Sequence, residues 1–115
     1  MDLTRLNLVE AKKGLLKKEF SAEELTKAFI ARLENTRHLH AFITETPENA
    51  LSQAKLSDER ISKGSPLPMD GLPIGMKDLF CTKGIRTTAG SKRLENFVPP
   101  YESTVSQILK NNGAV

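Results

Sequence analysis

Apolar residues Leu8, Ala11, Leu15 and Leu16 recur at helical spacing behind Asn7, which stands three residues ahead of Glu10 as a capping partner. The pattern predicts a first helix that ends around Lys17, Lys18 and Glu19. Gly14 in its middle weakens it by roughly 1 kcal/mol relative to alanine. A stronger signal follows. Ser21-Ala-Glu-Glu24 is a capping box, and Phe20 and Leu25 occupy the two positions of a hydrophobic staple. Leu25, Ala28, Phe29 and Leu33 then form one apolar stripe, which predicts a helix to Asn35 or Thr36. Residues 38–45, HLHAFITE, alternate and are rich in β-formers, so they predict a short strand. Thr46-Pro47 places proline at the first turn of a third helix, running to about Lys63 with Ala50, Leu51, Ala54 and Ile61 inward. The run GSPLP after it is a loop.

Residues 72–80 are apolar on both alternating faces, as a strand in a covered sheet would be, apart from the cation Lys77 and its neighbour Asp78. Val98-Pro99-Pro100 excludes a helix there. Ser103 or Thr104 caps a last helix with Val105, Ile108 and Leu109, Gly113 closes it, and Ala114-Val115 reads as the start of another strand. The expected fold class is therefore α/β: N-terminal helices, then the first strands of a mixed sheet. A length of 115 residues suggests one domain.

Composition narrows the function classes. The net charge is +3, but Lys12-Lys13, Lys17-Lys18 and Lys92-Arg93 each lie near an acid, and aromatics make up only 5%. That is a solvated surface rather than a nucleic-acid stripe. The single cysteine, Cys81, excludes an internal disulfide and a cysteine-based zinc site. No stretch reaches the ~18 apolar residues of a spanning helix. The N-terminus lacks the apolar core of a secretory signal and the acid-poor pattern of a transit peptide, so the cytoplasm is expected.

Lys77 is the sharpest candidate for chemistry. Lysine is almost never fully buried unless paired. Burial disfavours an ammonium, and a neutral lysine can accept a proton as a general base. On a strand, Asp78 would point to the opposite face and need not pair with Lys77. Spacing alone favours the plainer reading, a lysine snorkelling from a strand edge. Cys81 with His38 or His40 would make a thiol nucleophile if folding joined them; a small buried hydrophobe is the plainer reading. Gly84, Thr87, Thr88, Gly90 and Ser91 would line a pocket with backbone N–H groups, or form an ordinary tight loop. No Walker, GxGxxG, HExxH or GxSxG pattern occurs, so no nucleotide or metal site is marked.

The run GLPIGMKDLFCTKGIRTTAGS, followed by LENFVPPYESTV, resembles the amidase signature family. The likeness extends from Leu6 to the last residue and is strongest over residues 71–104. It implies that Lys77 is the distal member of a Ser–cis-Ser–Lys triad in a mixed α/β fold. In the family both serines lie in a Gly/Ser-rich segment, which residues 1–115 do not contain; Ser91 and Ser103 lie in no such run. The resemblance thus implies that residues 1–115 are the N-terminal segment of an amidase domain, stopping before the nucleophile region and inactive alone. The strand at 72–80 would then leave Leu72, Ile74, Met76, Leu79 and Phe80 facing solvent.

Within the family the likeness points to a protein that hydrolyses glutamine and passes ammonia to a partner, which amidates glutamyl-tRNA. It implies B and C partner subunits in a heterotrimer, tRNA contacted mainly through the partner, ATP and Mg used by the partner, and no cofactor in this chain. The alternatives are another amide hydrolase of the family, or a non-catalytic remnant that binds a partner.

Overall fold

Capping pairs set the helix boundaries in the computed structural model, which describes residues 1–115. Asn7 Oδ1 accepts from the Glu10 N–H, and Glu10 Oε2 accepts from the Asn7 N–H, each at 2.9 Å. This closed box starts α1 (Leu8–Lys17), and Lys18 ends it in the left-handed region at φ 58°. Ser21 and Glu24 make the same reciprocal pair at 3.0 and 2.8 Å and open α2 (Ala22–Asn35). Proline opens α3 (Pro47–Ser62), although the Thr46 side chain makes no capping bond. Ser103, rather than Thr104, caps α4 (Thr104–Asn111), its Oγ accepting from the Ser106 N–H at 3.1 Å. Single 3-10 turns lie at Leu3–Arg5, Arg37–Leu39 and Lys92–Leu94.

The chain divides into two compact units: Met1–Ile74 with Asn112–Val115, and Gly75–Asn111. In the first unit Ala11 and Leu15 of α1, Ala22 and Leu25 of α2 and Ala54 of α3 pack with Leu72 as one apolar cluster. Leu3, Leu6, Phe20, Ile61, Met69 and Val115 close around it. The inward face of α2 includes the buried Thr26, while Phe29 from the expected stripe is exposed. From α3, the Asp58 carboxylate accepts the first-turn N–H groups of Ala22 (2.7 Å) and Glu23 (3.0 Å). It thereby satisfies donors that a helix start leaves without partners.

Gly14 is explained by this packing. A Cβ at that position would overlap the Phe20 ring. Helix propensity alone makes Gly14→Ala stabilising by about 1 kcal/mol. Overpacking costs about 1–3 kcal/mol, so a net loss is expected. A urea midpoint at or above that of the parent would show that the ring moves aside freely.

A buried polar centre holds the C-terminal residues of this unit to α3. The Asp70 carboxylate accepts from Arg60 Nη2 at 2.5 Å and Nε at 3.0 Å, from the Ser57 hydroxyl at 3.0 Å, and from the Leu67 N–H at 2.6 Å. The Ser57 hydroxyl also lies 3.4 Å from the Gly113 carbonyl. Gly113 adopts φ 86°, and a Cβ there would strike the Asp70 carboxylate. Burial pushes the Asp70 carboxyl up, but Arg60, the Leu67 N–H and Ser57 outweigh it and hold it below the ordinary value.

Neither expected strand forms. Residues 38–45 contain the end of the 3-10 turn Arg37–Leu39 and then irregular chain, with His40 at φ 50°. Arg37 and Glu45 tie the two ends of this loop together at 2.7 Å. Residues 72–77 join no ladder, and the chain turns at 78–80. A strand exists only through pairing, and alternation cannot supply the partner. The pairing that does occur is brief. Val115 N–H donates to the Leu72 carbonyl at 3.0 Å, and Ile74 N–H donates to the Val115 carbonyl at 2.8 Å. Those two bonds follow the slanted pattern of a parallel pair and flank Pro73, which has no donor of its own. The mixed sheet is therefore absent, and the regular structure is helical apart from an isolated bridge between Thr82 and Ile85. The exposure expected along 72–80 is also uneven: Leu72 is 2% exposed and Leu79 is 49% exposed.

Candidate active site

Lys77 begins the turn in the second unit, its carbonyl accepting from the Phe80 N–H at 3.1 Å. Its side chain is exposed, which corrects the expectation of a lysine buried in an apolar strand. The strand that would have covered it is not formed. The expectation about Asp78 does hold: its carboxylate turns away to Thr88. Asp78 Oδ1 accepts from the Thr88 N–H at 2.9 Å, and Oδ2 accepts from the Thr88 hydroxyl. The Asp78 carbonyl accepts from the Ala89 N–H at 2.6 Å. Burial raises the Asp78 carboxyl, but the Thr88 hydroxyl and N–H, the Gly90 N–H and the Arg86 charge together outweigh it and hold it below its ordinary range. The result is a fixed, ionised Asp78 beside a lysine amine that makes no hydrogen bond or ion pair.

The loop expected to offer N–H groups to a ligand has spent them internally. Gly84 N–H donates to the Pro99 carbonyl and Thr87 N–H to the Phe97 carbonyl, both at 3.0 Å. Gly90 N–H donates to Thr88 Oγ1 at 3.1 Å, and Ser91 N–H to the Thr88 carbonyl at 2.9 Å. Thr87 and Thr88 are buried. Of the two readings, the tight loop is the one observed.

Cys81 has no histidine beside it; its thiol lies 3.8 Å from the Tyr101 hydroxyl. The serines here serve the backbone. The Cys81 carbonyl accepts from the Ser103 N–H at 2.7 Å and from the Ser106 hydroxyl at 2.8 Å, and that hydroxyl also lies 2.6 Å from Glu102 Oε2. Burial raises the Glu102 carboxyl, while Ser106, the Lys83 N–H and the Lys110 ammonium lower it further than burial raises it. Glu102 and Ser106 thus fasten the start of α4, a role the sequence signalled only through the cap at Ser103. No group of three His, Cys, Asp or Glu side chains gathers to hold a metal ion.

A lone lysine on a helix-capped, loop-rich framework defines no class by itself, but its surroundings in sequence identify a family. The amidase family profile matches residues 24–115, and the chain belongs to that family. It is 58% identical over 113 residues to the A subunit of glutamyl-tRNA(Gln) amidotransferase from Rhodospirillum rubrum, covering 98% of this chain and 23% of that protein. The same protein from Rhodopseudomonas palustris (strain BisA53) is 56% identical over 114 residues, covering 99% of this chain and 23% of the relative. A solved structure, described as a vestigial protein complex that reveals the origins of an s-triazine catabolic enzyme, superimposes with a TM-score of 0.89 at 33% identity. That likeness covers 96% of this chain and 25% of the other. The chain thus spans about a quarter of the proteins it matches.

Proposed function

We propose that residues 1–115 are the lysine-bearing N-terminal segment of a glutamine-hydrolysing amidase, the A subunit of a tRNA-dependent amidotransferase. The observation that carries this reading is identity above one half, along almost the whole chain, to relatives bearing that name, with Lys77 inside the matching stretch. The geometry of Lys77 is compatible with the role: its amine is unpaired and its acidic neighbour is occupied by Thr88.

A serine hydroxyl is a weak nucleophile and needs a base. In this reading the nucleophilic serine attacks the carboxamide carbon of glutamine. Its proton passes through a bridging serine to the amine of Lys77. Collapse of the tetrahedral intermediate breaks the C–N bond, and the proton returns to the departing nitrogen, which leaves as ammonia. Water then releases glutamate from the acyl-enzyme. Both serines belong to a Gly/Ser-rich segment outside residues 1–115. Ammonia passes to a B subunit, with a C subunit completing the heterotrimer. That partner binds tRNA and uses ATP and Mg to activate glutamyl-tRNA in the cytoplasm. The mixed sheet of the amidase fold forms when later strands pair with 72–77 and with Val115.

The test is a chimera in which this chain replaces the matched 113 residues of the Rhodospirillum rubrum protein, co-expressed with that organism's partner subunits. Glutamine-dependent ammonia release within about tenfold of the unaltered complex is expected, a loss below about 1.4 kcal/mol in transition-state stabilisation. Release from simple amides but not from glutamine would favour the broader amide-hydrolase reading. A stable complex with no turnover of either would favour a non-catalytic module.

A further inference from the structure

Residue 78 is held at more points than an exposed lysine's neighbour requires. The Asp78 carbonyl is bound by the Ala89 N–H at 2.6 Å, and its two carboxylate oxygens by the Thr88 N–H and hydroxyl. The Thr88 hydroxyl in turn accepts from the Gly90 N–H at 3.1 Å. Thr88 is 3% exposed, so water cannot replace these bonds. The turn that presents them puts Ala89 at φ 50° and Gly90 at φ 69°, two consecutive left-handed residues. Alanine adopts that conformation rarely, so the surroundings hold it there. On the other side, the Lys77 carbonyl is fixed by the Phe80 N–H at 3.1 Å. The two peptides that flank the Asp78 Cα are therefore each anchored at their carbonyl, while the Lys77 amine is left unengaged.

We infer that Asp78 and Thr88 are positioning residues for Lys77. Together they fix the backbone from which the amine projects, and Thr88 keeps the adjacent carboxylate from closing onto that amine. This rests on Lys77 acting as the base. A carboxylate released from Thr88 would be free to pair with the neighbouring amine and tie it away from the serine. A loosened 77–78 peptide would also spread the amine over positions where proton transfer fails.

The experiment compares Thr88→Val, Thr88→Ser, Asp78→Asn and Lys77→Ala in the chimeric complex, reading kcat and KM for glutamine and the melting temperature of each. Thr88→Val keeps the shape and removes the hydroxyl. It is expected to lower kcat roughly ten- to a hundredfold with KM changed by less than about threefold, the size of effect that small misplacements of a catalytic group produce. Thr88→Ser restores the hydroxyl and is expected to restore kcat. A merely structural threonine would lower the melting temperature without this selective, serine-rescued loss of kcat. Parental kcat in Thr88→Val, or equal impairment of the Val and Ser variants, overturns the inference. If Thr88→Val does not fold, Asp78→Asn decides: it keeps the backbone bond to Ala89, and parental kcat in it overturns the inference. Retained activity in Lys77→Ala is a different failure, that of the proposed base itself.

Discussion

Lys77→Ala in the chimeric complex is expected to cut ammonia release from glutamine by roughly 10²–10⁴-fold, the usual contribution of a positioned general base. Folding should hardly notice. The side chain is exposed and makes no hydrogen bond or ion pair, and surface substitutions of that kind usually stay within about 0.5 kcal/mol. Lys77→Arg is the more telling variant. It preserves length and positive charge, so a lysine needed only as a cation would tolerate it. Arginine cannot be deprotonated in a protein and cannot take the serine's proton. Equal loss in the alanine and arginine variants, with unchanged melting, is the expected pair of results. Activity within tenfold of the parent in either would exclude Lys77 as the base.

The second large effect concerns stability. Arg60→Ala is expected to destabilise the first unit by about 3–5 kcal/mol, the cost of stranding a buried charge. The Asp70 side chain is only 2% exposed and would keep its charge without a cation, whereas the Arg60 side chain is 33% exposed and reaches water from its own end. Asp70→Ala should therefore cost less than Arg60→Ala. Against a typical stability of ~5–15 kcal/mol, Arg60→Ala alone approaches unfolding. Denaturant melts of the two variants read this ordering directly, and a reversed ordering would show that the bonds from Leu67 and Ser57 matter more than the charge.

Acid should act through the same carboxylate. Its folded pKa is depressed below the ordinary 3.8, so its contribution is present above that value and is lost as pH falls through the depressed one. Asp70→Asn should flatten the acid limb of stability below about pH 4. A variant that loses stability with acid as steeply as the parent would assign that limb to other carboxylates.

Local chemistry explains which features the sequence disclosed. The boxes at Asn7–Glu10 and Ser21–Glu24, proline at the start of α3 and the serine cap of α4 act within three or four residues, and each stands where it was expected. The strands failed because pairing is not local. HLHAFITE has the composition of a strand but joins no ladder, and the strand-like pairing of 72–80 is confined to Leu72 and Ile74 with Val115. No local signal marks the buried role of Asp70. Its partners Ser57 and Arg60 stand 13 and 10 residues earlier, a spacing without a motif. At the candidate site Lys77 was legible through the run around it. The Asp78–Thr88 clamp was not, because its two members stand 10 residues apart and no local motif joins them.

The first unit is discontinuous: Asn112–Val115 returns to it after the chain has passed through Gly75–Asn111. This bears on the order of events at the ribosome. The contacts among α1, α2 and α3 are available as soon as those helices emerge. The bonds from Met69, Gly71 and Ile74 to Asn112, Gly113 and Val115 must wait until the last of these residues is synthesised. Until then the 69–74 segment has unclaimed N–H groups while the chain elongates, and a nascent chain in that interval is at its most open to chaperones and to mispairing with other chains.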